Sequence, residues 1–202
     1  MKKLLSLLTS LLILTSLFTL TPSAATTHTV VRGDTMWKIA VKYEVGLSEI
    51  KKANTHIKNP DLIYPGQVLN IPSISEGVLS YEKEVVRLVN IERKNAGLGE
   101  LTLDWELSRV ARIKSQDMKD NNYFSHTSPV YGSPFSMMKS FGITYRSAAE
   151  NIAKGYSTPE AVVKGWMNSP GHRKNILNKS FTHIGVGYVE GGSYWTQMFI
   201  AK

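Results

Sequence analysis

The fold of the larger part of this chain is decided by residues 88–118, LVNIERKNAGLGELTLDWELSRVARIKSQDM. The first half of the stretch has apolar residues at helical spacing and ends on Asn95-Ala96-Gly97, a typical C-terminal cap. Asp104 is a suitable N-cap for a second helix, which is predicted to run to about Asp120. The apolar or small residues on one face of that helix are Leu107, Val110, Ala111, Ser115 and Met118. The stretch therefore predicts two amphipathic helices joined by a short connection.

Beyond this pair of helices, the sequence pattern changes towards strands. Residues 133–142 predict a third, shorter helix, and Thr158-Pro159-Glu160 starts a fourth, since proline is well tolerated in a first turn. Two strand-like runs follow, at His183–Val189 and Tyr194–Ala201. Because the helices precede the strands, we expect an α+β domain with an antiparallel sheet over residues 81–202.

Residues 28–72 form a separate compact unit with the predicted order strand, helix, helix, strand. The unit opens with VRGDTMWKIA at 31–40, continues to KKAN at 51–54 and closes with YPGQVLNIP at 64–72. On these segments it resembles a LysM domain. The resemblance implies a small βααβ fold that binds N-acetylglucosamine glycans, chiefly peptidoglycan and chitin. Residues 73–80, SISEGVLS, are predicted to be a short linker.

The LysM resemblance also implies a glycan-binding groove formed by the loops that flank the helices. The candidate groove residues are Gly33, Asp34, Thr35, Asn59, Pro60, Asp61, Leu62 and Ile63. A purely structural role is the alternative for each of them, because Asp34 can cap a helix and prolines can shape turns. The sequence leaves both interpretations open.

The second unit carries further motifs in a fixed order. These are YFSH (123–126), AENIA (149–153), VVKGWMNSPGHRKNIL (162–177), THIGVGY (182–188) and YWTQMFI (194–200). Together with residues 88–118, they resemble the CAP superfamily in its short bacterial form, the family of cysteine-rich secretory proteins, antigen 5 and pathogenesis-related 1 proteins. The resemblance covers residues 81–202 and implies an α-β-α sandwich joined to the LysM domain.

The CAP resemblance implies a cleft that is faced by two histidines and two acidic residues, where some members bind a divalent metal. By motif, His126 and His172 match the histidines, and Glu150 matches one of the acids. The other acid would stand three residues after Trp166, where this chain has Ser169. The cleft candidates are therefore His126, Glu150, His172 and Ser169, and the catalytic residues remain unassigned.

The residue types in this cleft allow two kinds of site. Two neutral imidazoles can ligate zinc or another divalent metal, which makes His126 and His172 candidate metal ligands. A nearby carboxylate can orient an imidazole or act as a general base. The alternative is a cleft without metal, in which His126 and Glu150 tie neighbouring loops together by hydrogen bonds. The sequence has no HExxH or GxSxG motif, and no orienting acid is evident for a nucleophile at Ser169.

Residues 1–25 have the pattern of a secretory signal peptide. Lys2 and Lys3 precede an apolar run that ends near Leu20, and small residues follow it. An uncleaved membrane anchor is the alternative interpretation, although no later apolar run is long enough to span a bilayer. We therefore expect a secreted protein that is extracellular or associated with the cell wall.

The composition narrows the chemistry and the partners. The chain has no cysteine, which excludes cysteine peptidases and leaves core burial as the source of stability. Its formal net charge is +8, with basic residues scattered among acidic ones. In a secreted protein, this charge favours an anionic wall or membrane surface over nucleic acid as a partner.

These features favour a cell-wall-associated binding protein. The LysM domain would bind peptidoglycan, and the CAP cleft would bind a ligand, a lipid or another wall protein. One alternative is a metal-assisted wall hydrolase or peptidase that uses His126, Glu150 and His172. Another is a structural protein of spore or wall assembly. Because Ser169 stands where an acid is expected, we favour binding over catalysis.

Overall fold

The computed structural model describes residues 26–202, and the predicted signal peptide at residues 1–25 lies outside them. The first unit consists of strand β1 (Thr26–Thr29), helices α1 (Met36–Lys42) and α2 (Leu47–Ala53), and strand β2 (Val68–Ile71). The two strands pair in antiparallel fashion, with Thr26 opposite Ile71. The predicted βααβ order is confirmed.

A small apolar core and one buried amide hold the first unit together. Ile39, Ile50 and Leu69 are almost fully excluded from solvent, so both helices and β2 contribute to the core. Asn54 is also buried, and its Nδ2 donates to the carbonyls of Ile50 and Asn70. Its Oδ1 accepts a hydrogen bond from the Asn70 amide. Because a buried amide costs free energy unless it is hydrogen-bonded, this side chain holds the end of α2 against β2.

The second unit is larger and contains a four-stranded sheet. Its helices are α3 (Glu76–Asn95), α4 (Trp105–Asp120), α5 (Pro134–Ser140), α6 (Pro159–Met167) and α7 (Pro170–Ile176). Its strands are β3 (Thr102–Leu103), β4 (Ser147–Lys154), β5 (His183–Val189) and β6 (Tyr194–Ala201), which lie in the order β3-β5-β6-β4. Strands β5 and β6 have the predicted bounds and pair antiparallel, and the predicted α+β class is confirmed. The expectation of an antiparallel sheet is wrong for β3, which pairs parallel with β5 because helices rather than a hairpin connect the two strands.

Four elements differ from what the sequence indicated, and the first is the short strand β3, which was not predicted. Helix α3 begins at Glu76, inside the stretch 73–80 that was predicted to be a linker, because the Ser75 side chain caps it by accepting a hydrogen bond from the Val78 amide. The AENIA segment lies within strand β4, and α7 forms where no helix was predicted. Residues 72–75 are therefore the whole connection between β2 and α3.

Helices cover the sheet on both faces, as expected for an α-β-α sandwich. Helices α3, α6 and α7 enclose one core, which includes Trp166 and Phe199. Helices α4 and α5 enclose the other, which includes Met137 and Met198. The neighbours Met198 and Phe199 enter different cores because successive side chains of a strand point to opposite faces. Within residues 26–202, no helix has both the length and the hydrophobicity needed to cross a membrane.

Two glycines allow helix α4 to lie directly against strand β5. A Cβ atom built on Gly187 would lie 2.1 Å from the backbone nitrogen of Arg112 and 2.2 Å from the carbonyl carbon of Ala111. A Cβ atom on Gly185 would lie 2.4 Å from the carbonyl carbon of Leu107. These distances are far below van der Waals contact, and the obstructing atoms belong to the backbone. Glycine at both positions is therefore a condition for the observed helix–sheet distance.

The outer edge of β5 is completed by side chains where β3 ends. Strand β3 pairs only with His183 and Ile184. Further along β5, the Val186 amide donates to Ser108 Oγ, and the Tyr188 amide donates to Glu82 Oε1. Both oxygens of Glu82 also accept from Arg112 Nε at 2.9 Å. Glu82 therefore links α3, α4 and β5.

The two units touch through an ion pair near their short connection. Arg109 of α4 donates from Nε and Nη2 to the two carboxylate oxygens of Glu49 in α2, each at 2.8 Å, and from Nη2 to Ser48 Oγ at 3.1 Å. Gly46 lies against this pair, since a Cβ atom there would be 2.2 Å from Arg109 Nε. Two parallel hydrogen bonds fix both the distance and the angle between the charged groups.

We expect the substitution Gly187→Ala to lower the free energy of unfolding by about 3 kcal/mol, because the added methyl group forces α4 away from the sheet. Urea denaturation of the wild type and the variant measures the difference. Gly99→Ala is the matched control, since no atom lies within 4 Å of a Cβ built there. Equal losses in the two variants would contradict the role of Gly187 in helix–sheet contact.

A second expectation concerns the pH dependence of stability. Burial raises the pKa of Glu82 from its ordinary value of 4.5 to about 7, although Arg112 and the Tyr188 amide oppose the shift. The folded protein therefore keeps a proton that the unfolded chain has already released, so the free energy of unfolding should fall as pH rises from about 4.5 to about 7. Urea midpoints across this range should fall less in Glu82→Gln, and equal slopes would contradict the assignment.

Candidate functional site

The first unit has a surface groove of about 580 Å³ beside strand β2. Its lining residues are His56, Ile57, Lys58, Asn59, Leu62, Tyr64, Gln67 and Val68. The apolar side chains of Leu62, Tyr64 and Val68 are each more than half exposed. Hydrogen bonds shape the groove wall, since Gln67 Oε1 accepts from the Tyr64 amide at 2.7 Å and Asn59 Oδ1 accepts from the Asp61 amide at 3.1 Å. The groove thus combines apolar contact area with a few polar groups.

Some of the candidate glycan residues line this groove, whereas others make contacts elsewhere in the unit. Asn59 and Leu62 line the groove, and Asp61 pairs with Lys51 at 3.1 Å nearby. By contrast, Asp34 pairs with His28 at 2.8 Å and accepts from the Val31 amide, and these hydrogen bonds hold the pKa of Asp34 below its usual value.

The remaining candidates also make contacts within the unit. Thr35 caps α1 by accepting from the Lys38 amide, and the carbonyl of Gly33 accepts from Lys38 Nζ. Ile63 packs against the core. The glycan-binding roles of residues 33–35 and 59–63 stay predictions.

Sequence reasoning missed Tyr64 and Val68 as groove residues. In β2 the buried side chains alternate with exposed ones, and Val68 is an apolar residue at an exposed position. An apolar residue on the solvent side of a short strand was the available signal.

The second unit brings three of its four cleft candidates together at the edge of the sheet. Glu150 lies on β4, the last strand of the sheet order. His126 lies between α4 and α5, and its Nδ1 is 2.7 Å from Glu150 Oε1. His172 lies in α7, close enough for the charge of His126 to help lower the pKa of His172, after burial as the larger cause. The two imidazoles therefore share one cleft with a carboxylate.

Glu150 is the buried member of the pair and His126 is the exposed one. The relative exposure of the side chains is 1% for Glu150 and 53% for His126. Burial raises the pKa of Glu150, and the hydrogen bond from His126 and the charge of Lys114 oppose that shift. Glu150 Oε2 is buried and has no hydrogen-bond partner within residues 26–202. When Glu150 is ionised, Nδ1 of His126 donates to it, which leaves Nε2 as the acceptor nitrogen.

A chain of hydrogen-bonded amides supports His172. Asn151 Nδ2 donates to the His172 carbonyl at 3.2 Å and to Gln197 Oε1 at 2.9 Å. Asn175 Nδ2 donates to Asn151 Oδ1 at 2.8 Å. Arg93, which is also buried, donates from Nη1 to the Ile176 carbonyl at the end of α7. These contacts hold α7 against β4 and so place His172.

Sequence reasoning missed Asn175, Gln197 and Lys114 as parts of the cleft. Lys114 follows Val110 and Ala111 on the apolar face of α4, so the helical pattern of the sequence already indicated a buried lysine. The two amides gave no comparable signal, because their partners come from other elements.

Ser169 does not replace the missing acid. It stands at the N-cap position of α7, and its side chain makes no capping hydrogen bond. A hydroxyl at this position supplies neither a negative charge nor a strong metal ligand.

The donor set in the cleft is short of what a resident metal requires. Catalytic zinc sites use three protein ligands. Among residues 26–202, no group of three or more His, Cys, Asp or Glu side chains is arranged to hold a metal. His126 and His172 supply two imidazoles, and Glu150 Oε1 is already paired with His126. The residues of the cleft therefore do not fit a resident catalytic metal.

Comparison with known proteins agrees with this architecture. A model of the cysteine-rich secretory protein family, CAP, matches residues 86–200, and a LysM domain model matches residues 28–72. The chain is 68% identical over 130 residues to the uncharacterized protein YkwD of Bacillus subtilis (strain 168), which covers 64% of this chain and 51% of that protein. It is 38% identical over 170 residues to the uncharacterized membrane protein YlbC of the same organism, at 80% and 49% coverage. The chain spans about half the length of these curated relatives.

A solved structure shares the fold. An extracellular protein containing an SCP domain from Bacillus anthracis str. Ames matches with a TM-score of 0.60 at 37% sequence identity. The match covers 68% of this chain and 47% of that one. The chain therefore belongs to the cysteine-rich secretory protein family, CAP, and carries a LysM domain ahead of its CAP domain.

Proposed function

We propose that this protein is secreted, associates with the cell wall by binding peptidoglycan through its LysM domain, and presents the CAP cleft as a binding module. The observation that carries the proposal is the groove beside β2, where exposed apolar side chains stand among a few polar groups. An aromatic ring such as Tyr64 offers a flat apolar face to a pyranose ring, and Asn59 offers an amide to sugar hydroxyls. LysM domains bind N-acetylglucosamine glycans, and this groove supplies the chemistry for such a ligand.

The cleft of the CAP domain is better suited to binding than to catalysis. Glu150 and His126 form an oriented carboxylate–imidazole pair, which is the arrangement of a general base and its positioning group. The second acid that the family resemblance implies would stand at position 169, where this chain has Ser169. The pair can instead accept a hydrogen bond from a polar ligand at His126 Nε2, while the buried Glu150 carboxylate orients the ring. The ligand of this cleft would be a small molecule, a lipid or a wall protein with polar N–H or O–H groups.

The alternative function is a wall hydrolase or peptidase that uses His126, Glu150 and His172. The carboxylate–imidazole pair is the observation that favours it. Incubation of the wild type and Glu150→Gln with peptidoglycan and with unfolded protein substrates distinguishes the two functions. We expect both proteins to give the background rate. Turnover by the wild type that is lost in Glu150→Gln would show that the cleft is catalytic.

For the LysM domain, we expect Tyr64→Ala to weaken co-sedimentation of the protein with purified peptidoglycan by about tenfold, the loss typical of a central aromatic contact. Phe135→Ala is the control, because Phe135 is an exposed aromatic residue of the CAP domain. The fragment 26–74 should co-sediment by itself, and the chain without it should stay in the supernatant. Retention of binding by Tyr64→Ala would move the glycan site away from this groove.

For the cleft, we expect zinc to bind no more tightly to the wild type than to the double variant His126→Ala/His172→Ala. Two imidazoles without a third protein ligand give a weak site. Isothermal titration calorimetry with zinc measures the heats of both proteins. A large heat that disappears in the double variant would show that His126 and His172 bind zinc.

A further inference from the structure

Lys114 is a positively charged side chain that is completely buried inside the CAP domain. It lies on the sheet-facing side of α4, between the apolar residues Val110 and Met118, and its relative exposure is 0%. Burial of an ammonium group is costly unless its charge and its donors are satisfied. The atoms that contact Lys114 therefore indicate its structural role.

The three donors of this ammonium group are matched by three acceptors in one loop. Lys114 Nζ lies 3.0 Å from Tyr123 Oη, 2.8 Å from the Ser125 carbonyl and 3.0 Å from the His126 carbonyl. A lysine ammonium has three hydrogens to donate, so this set is complete. Two of the acceptors are consecutive backbone carbonyls, and the second belongs to the cleft histidine.

Asp117, one turn further along α4, holds the other side of the same loop. Its carboxylate accepts hydrogen bonds from Ser128 Oγ at 2.7 Å, from Tyr123 Oη and from Asn121 Nδ2 at 2.8 Å. The Ser128 hydroxyl in turn accepts from the amides of residues 130 and 131. The loop is therefore fastened to α4 before and after His126.

The charge of Lys114 also reaches the carboxylate that His126 contacts. Glu150 and Asp117 are the negative groups that act on Lys114 and oppose the effect of burial, which lowers its pKa. Glu150 has one oxygen on His126 and one buried oxygen without a hydrogen-bond partner in the described chain. Lys114 thus supplies positive charge beneath a carboxylate that is only half satisfied by hydrogen bonds.

We propose that Lys114 is a positioning residue of the CAP cleft, which holds the backbone at Ser125 and His126 so that His126 Nδ1 meets Glu150. The imidazole is half exposed, and its Nδ1 contacts Glu150. The backbone at Ser125 and His126 is held separately, by two hydrogen bonds from the buried Lys114 ammonium group. This role is independent of which ligand the cleft binds.

The first test uses the unaltered protein. A lysine ammonium that is buried and bonded to three acceptors exchanges its protons with water slowly, so nitrogen-resolved NMR should detect the Lys114 ammonium hydrogens. Lys139 is the internal control, since it belongs to α5 and has an exposed position. Exchange of the Lys114 ammonium as fast as that of Lys139 would overturn the proposal.

The second test compares Lys114→Met with Tyr123→Phe. Both variants disturb the same buried network, but Tyr123→Phe removes one acceptor and leaves both backbone carbonyls bonded to Lys114. The readout is the pair of ring nitrogen shifts of His126 at one fixed alkaline pH, which report the nitrogen that carries the proton. A change in stability alone does not move this signal.

We expect the proton of His126 to stay on Nδ1 in the wild type and in Tyr123→Phe, and to be redistributed towards Nε2 in Lys114→Met. Amide hydrogen exchange at residues 125–127 should rise by about tenfold in Lys114→Met, because two carbonyls lose their donor. A folded Lys114→Met protein with unchanged ring shifts and unchanged exchange would overturn the proposal. If Lys114→Met does not fold, the ammonium exchange of the wild type decides the question.

Discussion

Helix α4 lies against strand β5 at a distance that only glycine permits, and much of the CAP domain depends on this contact. A Cβ atom at Gly185 or Gly187 would come within 2.5 Å of the α4 backbone. The contact leaves the remaining faces of α4 for charged side chains. Arg112 pairs with Glu82 of α3, and Arg109 pairs with Glu49 of the LysM domain. The position of α4 therefore determines where these ion pairs join it to α3 and to the LysM domain.

The same helix carries the two buried charges that hold the loop around His126. Lys114 and Asp117 are one turn apart, and both side chains are buried. Their hydrogen bonds are directed at backbone carbonyls and hydroxyls rather than at each other. A buried cation that is bonded to a loop makes that loop rigid, because any movement leaves a charge without partners in a dry interior. The backbone of His126 is therefore held in place although its ring faces solvent.

The two regions that we propose to bind ligands differ in character. The LysM groove is shallow and partly apolar, which suits contact with a sugar ring, whereas the CAP cleft is polar and built on buried hydrogen bonds. The cleft histidines are held by separate networks, one from α4 below His126 and one from Asn151 and Arg93 around α7. Preorganised donors and acceptors lower the cost of binding a polar ligand.

The sequence by itself determined the two domains, the α+β class and the bounds of β5 and β6, whereas the roles of the cleft residues stay predictions. Local signals suffice for these features: caps such as Asp104, periodic apolar residues and motifs in a fixed order. Only the tertiary structure decided that Lys114 serves the His126 loop, that Asn175 and Gln197 support α7, and that Asp34 is occupied by His28. The physical reason is that a buried polar group is defined by its partner, and these partners come from distant segments. Periodicity can identify a lysine on an apolar face, but only the folded chain shows which oxygens it bonds.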